Sequence, residues 1–451
     1  MGSPPSVPRL GPINLLQNLK DYTVDPIGFL TRVARESDEA TRIIAGPMNV
    51  FFISKPEHVE DVLVTRAFNF TPVSVPALRQ AGPESLVNSR GELSLRMRDV
   101  LHTAYGHDHL VTHADMMTDS ADELRQRWAD GATLEIEREM LSLTVRMTNR
   151  MLFGSVDPLT PREVDAAVSA ADFLSSQTTH PVISVIAALP VRPPTRQYQR
   201  DLSVLSDAVS ARIQARRSVN WTSSDMATAM LRPNGGDASQ SLTDRELRDE
   251  IVSLLTAGNI NVPAALTWTW YLLSQHPDID AAFHAEIDSV LGDRPATMDD
   301  VIRLPLTRAI VSEALRLFPP AWVIGRNVLH DFALDNVLLR AGSMIAISPY
   351  VMHRNPRYFQ DPDQFDPSRW DPERAHELRP FTYMPFSGGP RGCMGAGFAD
   401  IALMLLLPTL ARGWTMRLDP GYSVALLPGI TLRPRNGMPM SLHRRESPSA
   451  G

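Results

Sequence analysis

The sequence predicts a mainly α-helical protein with small β-sheets, an α+β fold, on three observations. Apolar residues recur at helical spacing through most of residues 91–290. Short β-type segments precede this region and return after residue 320, where turns rich in Pro and Gly separate them. With 451 residues, 43% of them hydrophobic, the chain can bury a large core.

The elements follow in chain order. Segments 42–44 and 50–54 are rich in β-branched and aromatic residues and predict a hairpin, which a helix at 57–64 follows. The helical periodicity then predicts five long helices, at Met116–Trp128, Glu135–Leu152, Arg162–Phe173, Tyr198–Arg216 and Leu247–Ser274. Leu247–Ser274 is apolar enough to run through the middle of the core.

The last third of the chain predicts short strands at Val337–Leu339, Met344–Ser348 and Thr431–Pro434. Between them, Ile401–Leu410 predicts a buried helix, because it is too short to cross a bilayer. No repeat or linker is visible, so we expect a single domain over 1–451, with short flexible ends at about 1–10 and 445–451 and a surface loop at 233–237.

Composition excludes several classes of protein. The net charge is −7 and no sustained Lys/Arg run is present, which argues against nucleic-acid binding. The single cysteine excludes an intrachain disulfide and any multi-Cys zinc or iron–sulfur site, and it favours a reducing compartment. The N-terminal segment has neither a signal-peptide pattern nor a spanning helix, so we expect a cytoplasmic protein without a membrane anchor.

The only cysteine lies in a distinctive loop. Residues 386–395 read FSGGPRGCMG, and a helix-forming run follows them. A lone cysteine is more often a small apolar core side chain. Here Gly388 and Gly389 allow a tight turn and the close approach of a flat ligand, and Arg391 can reach an anionic group on that ligand. Gly395 and the helix start would stabilise a thiolate at Cys393.

This loop resembles the haem-binding loop of the cytochrome P-450 family at Phe386, Gly389, Arg391, Cys393 and Gly395. The resemblance implies a triangular prism of helices around a buried haem b, with Cys393 as the axial thiolate ligand of the iron. It extends over most of the chain.

A second segment, VSEALRLFPP, carries the E-x-x-R pattern of the same family at Glu313 and Arg316. The resemblance pairs these residues with Arg369 in FDPSRW. We interpret the three as a structural ion-pair cluster that supports the cysteine loop, and not as catalytic groups.

The two haem propionates need cationic partners if they are buried. By the resemblance these partners are Arg98, Arg326 and Arg391, with His353 as a weaker candidate. A solvated surface arginine is the alternative for each. The family often has Trp or His four residues before the first of these arginines, whereas this chain has Ser94.

The family's pattern A/G-G-x-D/E-T falls on residues 257–261, where its acid and alcohol pass protons towards dioxygen. Here Ala257 and Gly258 match, but Ile260 and Asn261 replace the acid and the alcohol. Ile260 cannot pass a proton, and Asn261 forms hydrogen bonds but does not titrate. Pro263 should leave the carbonyl of residue 259 free in a distorted helix.

Our hypothesis for proton supply is a water chain through Thr256, Asn259 and Asn261. Three alternatives stay open. Asn261 could only pack or cap a kink; the enzyme could be an ordinary monooxygenase that uses water or a polar group of the substrate as its proton source; or a substrate radical could close a ring or couple, forming a C–C or C–N bond without oxygen insertion.

The resemblance also places a substrate pocket, and nearly all its side chains are apolar. They are Phe173, Leu174, Val182, Ile183, Leu255, Ile260, Trp322, Val323, Ile324, Leu427 and Ile430. Each of these residues, taken alone, is more often part of the plain core than a ligand contact. Such a lining favours a mostly apolar secondary metabolite, such as a terpenoid, a polyketide or an aromatic peptide-derived compound.

The chain has no residues to spare for a fused flavin or ferredoxin module. It resembles the soluble bacterial members of the family, for which electrons come from NAD(P)H through a separate ferredoxin or flavodoxin, unless peroxide is used directly. We expect a monomer. A haem sensor or haem carrier is the alternative outside the enzymes. A non-haem metal enzyme or a Cys-dependent hydrolase is disfavoured, because the twelve His include no metal-spaced H-E-x-x-H pair.

Overall fold

The computed structural model describes residues 15–37, 40–44, 49–155, 157–177, 195–218, 225–231 and 242–445. Its α-helices are α1 Leu15–Val24, α2 Pro26–Glu36, α3 Pro56–Glu60, α4 Pro76–Ala81, α5 Gly91–Ala104, α6 His107–Thr112, α7 Ala114–Arg125, α8 Ile136–Phe153, α9 Pro161–Ser176, α10 Arg196–Ser218, α11 Met226–Leu231, α12 Asp244–Thr256, α13 Asn261–Gln275, α14 Pro277–Leu291, α15 Pro305–Leu317, α16 Pro349–Met352, α17 Pro372–Ala375 and α18 Ala396–Ala411. A π-helical turn, Asp61–Thr65, continues α3. Short 3-10 helices lie at Ala67–Asn69, Ala257–Asn259, Met298–Arg303, Pro367–Trp370 and Gly389–Arg391.

The strands form small sheets, as expected. They are β1 Thr41–Ile44, β2 Val50–Ile53, β3 Phe70–Pro72, β4 Thr133–Glu135, β5 Ile324–Val328, β6 Phe332–Leu334, β7 Val337–Leu339, β8 Met344–Ile347, β9 Trp414–Leu418, β10 Leu426–Pro428, β11 Leu432–Pro434 and β12 Pro439–Arg444. The largest sheet has the order β1-β2-β8-β5-β3, in which only β2 and β8 are parallel. A second has the order β4-β12-β9, and β6-β7 and β10-β11 form two-stranded sheets.

The predicted hairpin, four of the five predicted long helices and the late strands are confirmed, with shifts of a few residues at their ends. Side-chain capping explains where two of the helices begin. Capping boxes begin α9, at Thr160 and Glu163, and α12, at Thr243 and Glu246. The predicted buried helix is α18, whose residues from Ile401 onwards are buried, so it forms part of the core.

One expectation is wrong: the helix predicted over Leu247–Ser274 is not continuous. It stops at Thr256, continues as the 3-10 turn Ala257–Asn259, and restarts as α13. Pro263 therefore lies in the first turn of a new helix. A backbone N–H in that turn has no intrahelical acceptor, so the lack of an N–H in proline costs no hydrogen bond there. The helix is interrupted before Pro263, whereas the sequence predicts a distortion at Pro263 within one continuous helix.

By length and composition, residues 244–275 are apolar enough to span a membrane, but 78% of the qualifying window is buried inside the protein. This is the property of a core helix. The expected flexible ends lie outside the described residues, apart from Arg445, and so does the predicted surface loop at 233–237.

Candidate functional site

The cysteine loop forms one wall of a cavity of about 780 Å³. Helix α5, the break between α12 and α13, strand β5 and the chain segment 72–78 form the other walls. Most of the lining is apolar, as a site for a flat hydrophobic group requires.

The loop is held by its own backbone. The N–H of Cys393 donates to the carbonyl of Phe386 at 3.0 Å, and the N–H of Gly392 donates to that of Gly389 at 2.9 Å. Gly395 precedes α18 as its N-terminal cap residue. These contacts fix Cys393, Phe386 and Gly395 on the cavity wall.

Gly389 serves a purpose different from the one we expected. Its φ is +69°, and a Cβ built on it would lie 1.9 Å from the carbonyl oxygen of Leu63. It does not line the cavity. The glycine is therefore required where the loop crosses the backbone of the π-helical turn, and not where a ligand approaches.

Two opposing effects act on the thiol of Cys393. The residue is accessible because it lines the cavity, but the surrounding protein is dense, and burial raises its pKa. The backbone N–H of Gly395 and the charge of Arg98 lower the pKa. The fold therefore supplies stabilising groups for a thiolate, although they do not outweigh burial in the protein alone.

Three arginines meet at the cavity without a carboxylate partner among the described residues. Arg326 is buried and donates only to the carbonyl of Gly325, at 3.0 Å. Arg98 donates to the carbonyl of Gly392 at 3.0 Å, and its buried Nε has no hydrogen-bond partner in the part of the chain that the structure describes. Burial and the nearby Arg391 lower the pKa of both, that of Arg326 to about 10.

Of the three arginines Arg326 is buried and Arg98 and Arg391 are partly buried, and cations that repel one another in such a place are stabilised by an anionic group. A haem with two propionates fits this requirement, and a cysteine that can ligate its iron lies on the same cavity. Arg98, Arg326 and Arg391 would hold the propionates, and Cys393 would hold the iron. Ser94, four residues before Arg98, lines the cavity as well.

His353 is not part of this group, so the structure removes the weaker candidate. Its Nε2 accepts from the N–H of Met384 at 2.9 Å, and its Nδ1 lies 3.2 Å from the carbonyl of Arg316. It is fully buried away from the cavity, and burial, reinforced by Arg316 and Arg354, lowers its pKa to about 3.

The ion-pair cluster is compact and buried. Arg316 donates from Nε and Nη2 to the two carboxylate oxygens of Glu313, each at 2.8 Å, and Arg369 approaches the same carboxylate at 3.4 Å. Trp370 donates to it at 3.0 Å. Arg316 also donates to the carbonyls of His353, Pro362 and Gln364. The cluster therefore ties α15 to the chain that leads to the cysteine loop.

The structure does not bring the three members of the expected water chain together. Asn261 lines the cavity with Ala257 and Gly258, but Thr256 and Asn259 do not. The hydroxyl of Thr256 donates to the carbonyl of Val252 at 2.7 Å.

The amide of Asn259 does not line the cavity either, although Thr148, one of its partners, does. It accepts from Thr148 at 2.8 Å and donates to the carbonyl of Leu254 at 2.9 Å.

The predicted substrate residues divide into two groups. Those that line the cavity are Ile260, Val323, Ile324 and Ile430. Those that lie outside the lining are Phe173, Leu174, Leu255, Trp322 and Leu427. Phe173 packs on Tyr198, and Trp322 donates to the carbonyl of Gly429 at 2.7 Å. Val182 and Ile183 lie outside the described residues.

Sequence reasoning missed a buried acid on the cavity, Glu250. Its carboxylate accepts from the N–H of Leu86 at 2.7 Å, and Asp249 accepts from the N–H of Glu84 at 3.1 Å. Burial raises the pKa of Glu250 to about 7. The two acids fasten the chain before α5 to α12. Nothing in their spacing shows this role, because the partner is a backbone segment far away in sequence.

Comparisons with known proteins agree with this site. A family model described as Cytochrome P450 matches residues 4–436. Cyclooctatin synthase of Streptomyces melanosporofaciens is 33% identical over 90% of this chain and 89% of its own. Cyclooctat-9-en-7-ol 5-monooxygenase of the same organism is 31% identical over 94% and 90%, and pentalenene oxygenase of Streptomyces avermitilis is 29% identical over 88% of both.

Solved structures share the fold. A retinoic acid-bound cyanobacterial CYP120A1 superposes with a TM-score of 0.83 at 22% identity, over 98% of this chain and 100% of the other. The haem domain of cytochrome P450DA superposes with a TM-score of 0.83 at 23% identity, over 99% and 98%.

The fold and the site define a haem-thiolate oxidoreductase of the monooxygenase type. The chain belongs to the cytochrome P450 family. Because it has a single cysteine, Cys393 is the residue that can supply the thiolate. When bound, the haem supplies the activation of dioxygen.

Proposed function

We propose that this enzyme oxidises a mostly apolar secondary metabolite, of terpenoid type, by hydroxylation or a related C–H oxidation. The observation that carries the proposal is the apolar lining of the cavity by Ile260, Val323, Ile324 and Ile430, which come from three separate parts of the chain. The names of the relatives, which include an oxygenase of pentalenene and a monooxygenase of an alkenol, support the same substrate class.

The test is a ligand screen on the haem-loaded protein. Terpene hydrocarbons and alcohols are titrated while the Soret band is followed, with sugars and nucleotides of similar size as controls. We expect an apolar member to shift the spin state and to be turned over. Binding confined to charged or sugar-like compounds would contradict the proposal.

A second candidate reaction is ring closure or coupling without oxygen insertion. The observation that favours it is the chemistry at the usual relay positions, where Ile260 is apolar and Asn261 carries an amide, so neither supplies an acid. Labelled dioxygen separates the two reactions: label in the product indicates hydroxylation, and an unlabelled product with two hydrogens fewer indicates ring closure or coupling. Asn261→Ala and Asn261→Thr should change the coupling of electron use to product if the amide takes part.

We further propose a single catalytic domain that acts as a cytoplasmic monomer and receives electrons from NAD(P)H through a ferredoxin or flavodoxin. Turnover with peroxide alone would indicate a peroxygenase instead. A protein that binds haem but shows neither substrate-induced spectral change nor turnover would be the sensor or carrier.

A further inference from the structure

A second, small cavity lies behind the helix break. It measures about 20 Å³, which is enough for one water molecule. Glu137, Ile260, Thr431 and Arg433 contribute to its walls. Ile260 lines both this cavity and the large one, so the two cavities adjoin at its side chain.

Thr431 lines the small cavity and is hydrogen-bonded to a residue of the large cavity. Its hydroxyl donates to Oδ1 of Asn261 at 3.1 Å, and Asn261 lines the large cavity. The turn that carries Thr431 is held firmly: a Cβ on Gly429 would lie 2.5 Å from the carbonyl oxygen of Ser175, and Trp268 donates to the carbonyl of Leu432 at 2.9 Å. The hydroxyl is therefore presented at a fixed place.

Glu137 is the acid at the other end of the small cavity. It is buried, and its Oε1 lies 2.6 Å from Nε of Arg433. Its Oε2 is buried and has no hydrogen-bond partner among the described residues. Arg433 also donates to Asp172 at 3.0 Å, and the side chain of Asp172 is 58% exposed, which gives a route to solvent.

The charges around Glu137 permit it to hold a proton. Burial raises its pKa to about 7, against the pull of Arg433, and Glu135 and Asp172 raise it further. Arg138 also lines the small cavity. A carboxyl with this pKa is matched to proton transfer near neutral pH.

The geometry points to Glu137 and Thr431 as a replacement for the acid and alcohol that the broken helix lacks. A proton passes from the carboxyl of Glu137 through a water molecule in the small cavity to Oγ1 of Thr431. Thr431 gives up its own hydroxyl proton on the side where Asn261 accepts, to a water molecule that enters beside Asn261 from the large cavity. Rotation of the Asn261 amide opens the acceptor position, so Asn261 is the gate. Glu137, left as a carboxylate, regains a proton from solvent past Asp172, and no electrons move.

The inference rests on the oxygen-activating function proposed above, so its first test needs no turnover. Difference infrared spectra of the haem-loaded protein are recorded across the neutral pH range. Because Glu137 and Glu250 both have pKa values of about 7, we expect two protonated-carboxyl C=O bands to disappear with midpoints near pH 7, and the Glu137 band alone to be absent from Glu137→Gln. Glu123→Gln, which alters an exposed ion pair with Arg150, is the matched control and should keep both bands.

The second test follows dioxygen reduction without substrate, driven by a plant-type ferredoxin and its reductase. Reduction to water consumes more protons than release of peroxide, so a blocked relay should raise the ratio of peroxide to water. We expect Glu137→Gln and Thr431→Val to raise it by at least about tenfold, and Thr431→Ser to stay close to wild type.

The pH profile distinguishes a relay from a purely structural role. In the wild type the ratio of peroxide to water should rise as the pH increases through about 7, and in Glu137→Gln this ratio should not change over the same range. The inference is overturned if Glu137→Gln leaves every titrating carboxyl band in place, or if Thr431→Val and Thr431→Ser behave alike. A protein that passes both tests but oxidises no terpenoid would refute only the proposed substrate.

Discussion

Replacement of Glu313 by Gln should strongly destabilise the protein, although the two side chains have the same shape. Glu313 and Arg316 have no exposed side-chain surface, and Arg369 is only 6% exposed. The substitution leaves two buried guanidinium groups without their carboxylate. Breaking a buried ion pair in this way costs about 3–5 kcal/mol. This is a large part of a typical total stability of about 5–15 kcal/mol.

The assay is denaturant unfolding of the haem-loaded protein, followed by the Soret band and by far-ultraviolet circular dichroism. We expect a much lower midpoint and a reduced haem content. Glu123→Gln breaks an exposed pair with Arg150 and should change the free energy of unfolding by less than about 1 kcal/mol. A loss below about 1 kcal/mol for Glu313→Gln would refute the view that this cluster supports the loop.

Three further predictions concern the haem loop and the buried histidine. Arg326 lacks a carboxylate partner among the described residues, so its loss in Arg326→Leu should affect haem binding and not the protein fold. We expect haem to pass from this variant to an apoglobin acceptor about tenfold faster or more than from the wild type, and the haem-free variant to be no less stable than the haem-free wild type. Gly389→Ala should lower the yield of haem-loaded protein severely, because its Cβ would overlap the Leu63 carbonyl; a wild-type yield would contradict the assigned close approach. The pKa of His353 falls from 6.5 to about 3 on folding, so only the unfolded state takes up a proton in that range. Wild-type stability should fall as the pH drops from 6.5 towards 3, by up to about 1.4 kcal/mol per pH unit; urea midpoints of His353→Gln should lack that part of the slope.

The part of the site that the cysteine loop forms could be predicted from local sequence. Cys393, Arg391 and Gly395 lie within one short loop, so their spacing alone places them together. The reason for Gly389 could not be predicted, because the group it must avoid, the carbonyl of Leu63, is distant in sequence.

The part of the site near the break between α12 and α13 could be predicted less well, because it depends on that break. Periodicity indicates apolar faces but not a short 3-10 turn, and beside that turn only Asn261 of Thr256, Asn259 and Asn261 lines the cavity. Glu137 and Thr431 are far apart in the chain and meet only through tertiary packing. No single-sequence pattern joins them.

The central claim is that Cys393 ligates a haem iron as a thiolate, and the absorption spectrum of the reduced protein with carbon monoxide tests it most directly. We predict the red-shifted Soret band that thiolate ligation produces, and its loss in Cys393→His at comparable haem content. A wild-type band at the position typical of histidine-ligated haem, or an unchanged band in Cys393→His, would contradict the claim.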